Sequence, residues 1–144
     1  MKTKIITVTL MVIALLFVSC GNETRYTYYR DGELKTEAEY NDENKLDGDY
    51  IKYFQNGNKS LVREYEDGLK VGEELTYYKN GEIKLIKHYE DGKKDGEQIA
   101  YYKNGDVCIE IEIDEGEITD NGAVSKDARN KPFETMLLVE MIKQ

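Results

Sequence analysis

Leu75-Thr76-Tyr77-Tyr78-Lys79-Asn80-Gly81-Glu82-Ile83-Lys84-Leu85-Ile86-Lys87-His88-Tyr89-Glu90-Asp91-Gly92 is the stretch on which the fold turns. Two runs of β-formers flank Asn80-Gly81, and Glu90-Asp91-Gly92 closes the second run. Asn-Gly in such a setting signals a hairpin, because a two-residue type I′ turn needs φ > 0 at both central residues. The expected pairing sets Tyr78 opposite Ile83 and Thr76 opposite Leu85, with Tyr89 on the same face. Leu75, Tyr77, Lys84, Ile86 and His88 fall on the other face. Each face is half apolar, and neither reads as a fully buried interior.

The unit recurs. Tyr28-Tyr29, Tyr53-Phe54, Tyr77-Tyr78 and Tyr101-Tyr102 follow one another at 25, 24 and 24 residues. One residue after each pair comes a turn dipeptide: Asp31-Gly32, Asn56-Gly57, Asn80-Gly81 and Asn104-Gly105. Gly48, Gly72 and Gly96 form a second series and Gly68, Gly92 and Gly116 a third, both stepping by 24. Agreement between independent series marks a repeat array. The one extra residue lies in the connection from Asn41 to Gly48. Strands are expected near 25–30, 33–40, 49–54, 58–65, 73–78, 82–89, 97–102 and 106–113. Gly72 and Gly96 interrupt strands and suggest bulges. The fold class that follows is all-β: a single-layer antiparallel β-meander of about four tandem hairpin repeats of 24 residues.

These residues resemble a known family. Tyr-Tyr-x-Asn-Gly, a β-rich stretch ending in Tyr, then Glu-Asp-Gly-x-x-x-Gly, looks like the MORN-repeat variant of the YwqK-type antitoxin family. The likeness covers about residues 26–116 and weakens after Val107, where Ile113 replaces the repeat tyrosine. It implies a single-sheet fold and an interaction role, in some members neutralising a toxin. It supplies no catalytic residues.

Lys2 and Lys4 precede the uncharged run Ile5 to Val18, which ends at Phe17-Val18-Ser19-Cys20-Gly21. The run is shorter than the roughly 20 residues that span a bilayer, and reads as a signal-peptide core. A small residue followed by Cys at its end resembles a lipobox, so Cys20 is the expected lipidation residue, with Phe17 standing where Leu is usual. Export and a lipid anchor in a bacterial envelope follow as expectations, on the outer membrane if the cell is Gram-negative. Removing the leader leaves 18 basic residues against 29 acidic ones, a net charge of −11. Such a body is repelled by nucleic acid and anionic membrane, and favours a basic protein partner. Cys108 then has no second cysteine to pair with.

The chain divides into a leader at 1–19, a lipidated cysteine and short tether at 20–24, repeats at 25–116, and a polar linker with an apolar C-terminal cap segment at 117–144. Phe133, Met136, Leu137, Leu138, Val139, Met141 and Ile142 supply that segment, a short helix or strand packed on the last repeat. No chemistry-bearing set emerges. His88 is the only histidine and stands where other repeats have glutamate. Cys108 replaces Lys35, Ser60 and Lys84 and reads as semi-exposed. The Asp-Gly turns lack calcium-loop spacing. No catalytic residue, metal ligand or cofactor is therefore expected. Tyr53, Tyr77, Tyr101, Tyr78 and Tyr102 are the candidate partner contacts, because Tyr offers large amphipathic area at low entropy cost. The expected function is a membrane-anchored, non-enzymatic scaffold for protein or glycan interaction in the envelope; the alternative is an antitoxin or immunity protein.

Overall fold

A computed structural model describes residues 21–119 together with 124 and 125. Cys20 and the proposed cap over 133–142 lie outside the described residues. Within them the chain forms β1 (Glu23–Tyr28), β2 (Leu34–Tyr40), β3 (Leu46–Tyr53), β4 (Lys59–Glu66), β5 (Leu69–Tyr77), β6 (Ile83–Glu90), β7 (Lys93–Lys94), β8 (Gly96–Tyr101), β9 (Val107–Asp114), β10 (Glu117–Ile118) and β11 (Val124–Ser125). They make one open antiparallel sheet in the order β1-β2-β3-β4-β5-β6-β8-β9-β10, with β7 beside β6 and β11 beside β9. The all-β meander read from the repeat is what the chain adopts, and no helix occurs among the described residues.

The two ends of each hairpin use different turns, and the assignment differs from the one expected. At the Asn-Gly end Gly81 takes φ 92° while Asn80 stays at negative φ. The Gly81 N–H donates to the Tyr78 carbonyl (3.0 Å) and the Tyr78 N–H to the Glu82 carbonyl (2.8 Å). This is a three-residue loop, a type I turn followed by a left-handed bulge residue. Asn80 earns its place differently: its Oδ1 accepts the Glu82 N–H at 3.2 Å, and Asp31, Asn56 and Asn104 repeat the bond. The longer loop moves the register by one beside the turn, so Ile83 pairs with Tyr77 rather than with Tyr78, and the bulge between Thr76 and Tyr77 restores the expected Thr76–Leu85 pair.

The type I′ turns lie at the opposite end. Asp67-Gly68, Asp91-Gly92 and Glu115-Gly116 each place both residues at positive φ. The first such connection is the exception. Asn44, at φ 63°, takes the bulge position that glycine holds elsewhere, with Asn44 N–H to Asn41 O and Asn41 N–H to Lys45 O both at 2.9 Å. That three-residue loop contains the extra residue behind the single 25-residue step.

Neighbouring hairpins are tied at both ends. Gly68, Gly92 and Gly116 each donate a backbone N–H to the preceding unit, at Leu46, Lys70 and Lys94 O (2.7 to 2.9 Å). At the other end the Tyr29 hydroxyl donates to Tyr53 O (2.7 Å) and the Tyr78 hydroxyl to Tyr101 O (2.8 Å). Phe54 has no hydroxyl, and in that unit the Asn56 and Asn58 amides donate to Lys79 O instead. Each repeat thus satisfies its neighbour's backbone, the nearest-neighbour logic of a repeat array.

Burial is one-sided, which corrects the expectation of two half-open faces. Leu85, Gln98, Ala100, Ile109, Ile111 and Ile113 point to one face and are at most 2% exposed. Ile109-Glu110-Ile111-Glu112-Ile113 carries that asymmetry in its own alternation. Cys108 is also fully buried rather than semi-exposed. It lies on β9, which is flanked by β8 on one side and by β10 and β11 on the other.

Candidate interaction surface

The register sorts charge as well as apolar area. One face carries Arg25 from β1 and Lys52, Arg63, Lys70, Lys87 and Lys94 from β3 to β7, against Glu23 and Glu74. Its centre is a buried ion cluster. Glu74, 4% exposed, pairs with Arg63 at 2.5 Å, Lys70 at 3.5 Å and Lys87 at 3.8 Å. Three strands, β4, β5 and β6, meet there, and β5 supplies both Lys70 and Glu74 because three residues, 72–74, stand opposite Arg63 alone between the Val62–Leu75 and Glu64–Val71 pairs. Gly72, at φ 62°, opens that bulge. Tyrosines pack among the cations: Arg63 lies near the Tyr50 and Tyr65 rings, which meet edge-to-face at 6.0 Å, and Lys70 sits 4.5 Å over Tyr89. Burial, with Glu74 beside it, pushes the Tyr89 phenol up to about 12. Burial, Lys87 and Lys70 together pull the Lys94 ammonium down to about 8.

The opposite face is acidic and more open. Three rows cross it, each running from strand to strand. The middle row is aliphatic: Ile51, Val62, Leu75, Ile86 and Ile99 are successive cross-strand partners on β3, β4, β5, β6 and β8, all partly exposed. Towards the Asn-Gly turns lie Tyr53, Tyr77 and Tyr101, with Ser60 and Lys84 between them. Towards the Asp-Gly turns lie Asp49, Glu64, Glu73 and Glu97, with His88 and Glu112. The aliphatic row ends at Glu37 on β2, opposite Ile51, and at Glu110 on β9, opposite Ile99. Glu97 is raised above the ordinary carboxylate range, first by a hydrogen bond shared with Glu110, then by burial and by the charges of Glu110 and Glu112.

The candidate tyrosines divide between these environments. Tyr53, Tyr77 and Tyr101 stand on the acidic face, half-buried. The Tyr53 hydroxyl donates to Glu37 Oε2 at 3.1 Å, and burial raises the Tyr77 phenol. Tyr78 is 9% exposed and spends its hydroxyl on the next repeat. Tyr102 packs against the Leu85–Ile113 cluster. His88 is held on the acidic face, Nε2 against Glu73 Oε1 at 3.2 Å and Nδ1 against the Glu97 carbonyl. The Glu74 cluster escaped the sequence reading. The only signal for it was Gly72, whose bulge was legible but whose effect on register was not.

A family model for the MORN repeat variant matches residues 24–42, 70–91 and 94–114. These hairpins are MORN repeat variants. Residues 43–69, between the first two matches, hold the same pair of turns, with Gly57 left-handed in one and Asp67-Gly68 in the other. No curated protein matches the chain.

The MORN repeat is generally a non-enzymatic module, often engaged with membranes or proteins. From the second unit on, each hairpin contributes the same three elements to the acidic face; the first has Thr24, Tyr26 and Tyr28 at the corresponding positions. Ile51, Leu75 and Ile99 are one residue series at a step of 24, Tyr53, Tyr77 and Tyr101 a second, and Asp49, Glu73 and Glu97 a third. The repeat therefore multiplies one small surface along the sheet. Among the described residues no group of three or more His, Cys, Asp or Glu is placed to hold a metal.

Proposed function

We propose that this chain is an exported lipoprotein, acylated on Cys20, whose MORN-variant sheet is a binding scaffold for a basic protein in the bacterial envelope. The observation that carries this reading is the acidic face, where tyrosine, aliphatic and carboxylate rows repeat in parallel. Acidic charge speeds encounter with a basic partner and loses reach in salt, the Debye length being about 8 Å at physiological ionic strength. Tyr53, Tyr77 and Tyr101 give affinity once the partner is seated; Tyr78 and Tyr102 hold the sheet.

A photo-crosslinking residue at Tyr77, in the full chain in living cells, tests the contact. The expected result is one dominant adduct with a basic protein, lost when Glu64 and Glu73 are both changed to Lys. The same adduct from position 78, or none from 77, removes the acidic face as the contact. Recovery of a toxin would make the scaffold an immunity protein. Palmitate labelling that disappears in Cys20→Ser tests the anchor, and label retained in that variant refutes it.

A further inference from the structure

The acidic face limits what can lie on it. Its aliphatic row runs across the strands, and in that direction the sheet has spent its N–H and C=O groups on its own ladders. An extended segment laid along the row would meet only side chains and would cover its own backbone groups without partners, an expensive arrangement. A helix brings its hydrogen bonds with it.

The dimensions agree. Five strands spaced about 4.8 Å apart put Ile51 and Ile99 about 19 Å from each other, the length of roughly 13 helical residues at 1.5 Å each. The flanks differ in chemistry. Asp49, Glu64, Glu73 and Glu97 border the row on one side, and Tyr53, Tyr77 and Tyr101 on the other. The raised Glu97 carboxyl, pressed by Glu110 and Glu112, shows that the acidic border is crowded with like charge, which an incoming cation relieves.

We infer that this face docks one amphipathic α-helix of about 13 residues or more, laid across β3 to β8, with its apolar stripe on the Ile51–Ile99 row and a Lys/Arg flank over Asp49, Glu64, Glu73 and Glu97. The inference rests on the scaffold reading and names the class of partner. The tyrosine border receives the helix's uncharged flank, so a single orientation of the helix about its axis is selected. Helix-in-groove recognition uses anchors at i, i+3 or i+4, and i+7, and the ladder of alternating Ile, Val and Leu offers a matching series.

Selection of a random 16-residue peptide library on the full chain without its leader tests this directly. Enriched peptides should show apolar residues at i, i+3 or i+4, i+7 and i+11, with Lys or Arg confined to one flank. A synthetic enriched peptide should gain helical circular dichroism on binding and lose it, with at least tenfold weaker binding, when a central residue is replaced by Pro. Leu75→Asp should weaken binding at least tenfold. Because Leu75→Asp could also loosen the sheet, the charge reversal Glu73→Lys with Glu97→Lys, at exposed positions, is read beside it and should cost a similar factor in low salt. Enrichment of alternating, strand-like or acidic peptides, binding unaffected by both variants, or no enrichment at all overturns the inference. A crosslinked basic partner at Tyr77 alongside strand-like enrichment would sink the helix alone and leave the scaffold standing; an empty result in both experiments sinks both.

Discussion

Glu74 shows how much one side chain can organise. Its carboxylate is taken out of water and surrounded by Arg63, Lys70 and Lys87, so its removal leaves buried cations without their counter-charge. Glu74→Gln should destabilise the fold by about 3 kcal/mol in chemical denaturation, the usual result of breaking a buried pair from one side. Exposed acidic residues such as Glu73 should cost little by comparison. Lys94 makes a separate prediction. Its folded value is about 8 against an ordinary 10.5. Below about pH 8 both states are protonated and the fold carries the full penalty. Between about 8 and 10.5 the folded group is neutral while the unfolded one still holds its proton, so stability rises with pH across that window and levels off above it. Denaturation midpoints of wild type and Lys94→Met, compared from pH 7 to 10.5, should converge as pH rises, with the variant more stable at neutral pH. A constant difference would place Lys94 outside this linkage.

The hairpin carries its own lesson, because two turns that look alike in composition are conformationally distinct. Asn80 keeps negative φ, its Oδ1 accepting the Glu82 N–H and its Nδ2 donating to Glu82 Oε2 at 2.8 Å, whereas Asp91 sits at φ 47°. Alanine should therefore cost more at Asp91 than at Asn80, by about 1 kcal/mol, since alanine lacks the short polar side chain that makes Asp tolerable in the left-handed region, whereas at Asn80 only exposed side-chain hydrogen bonds are lost. Gly81→Ala, at φ 92° with no atom but Asn58 Nδ2 within 4 Å of the new Cβ, isolates the backbone term and should cost about 1 to 2 kcal/mol. Asn44→Gly should be neutral or stabilising, because it restores the residue that the same loop uses elsewhere. Thermal melts of the four variants decide the order, and an equal effect at Asn80 and Asp91 would contradict the turn assignment. Asn-Gly announced a turn correctly. Its type was not legible, because the same dipeptide serves a two-residue loop and a three-residue one, and only the closing hydrogen bonds tell them apart.

The whole sheet behaves as a sum of units bonded to their neighbours. Deleting Asn58 to Gly81 removes one period and joins Gly57 to Glu82, recreating the Asn-Gly-Glu sequence of an existing loop. The hairpins on either side keep their inter-repeat bonds in kind, since each unit makes the same backbone contacts at the Asp-Gly end. Deleting twelve residues leaves a strand without its partner and confronts one turn type with the other. The full-period deletion should melt as a cooperative β-protein close to wild type, and the half-period deletion should lose cooperativity. Indistinguishable circular dichroism melts would mean that the 24-residue period is not the structural unit. The tyrosines proposed as contacts belong to this scale too: Tyr77→Ala with Tyr101→Ala should weaken partner binding by about 2 kcal/mol or more with little thermal loss, while Tyr78→Ala with Tyr102→Ala should mainly lower the melting temperature.

Strand positions, repeat period and face parity were determined by the sequence alone. Each is a local rule: a two-residue alternation puts Leu75, Tyr77 and Ile86 on one side of their hairpin whatever surrounds it, and glycine marks where the backbone must turn left-handed. Matching that parity across units would also have exposed the Tyr, Ile and carboxylate rows, because their residues recur at 24. Tertiary structure alone decided which face is buried, which turn closes which end, and which charges meet. Those outcomes depend on register summed over several strands. The bulge at Gly72 sets residues 72–74 against Arg63 alone, so that Glu74 arrives between Arg63 and Lys87 only once β4, β5 and β6 are paired.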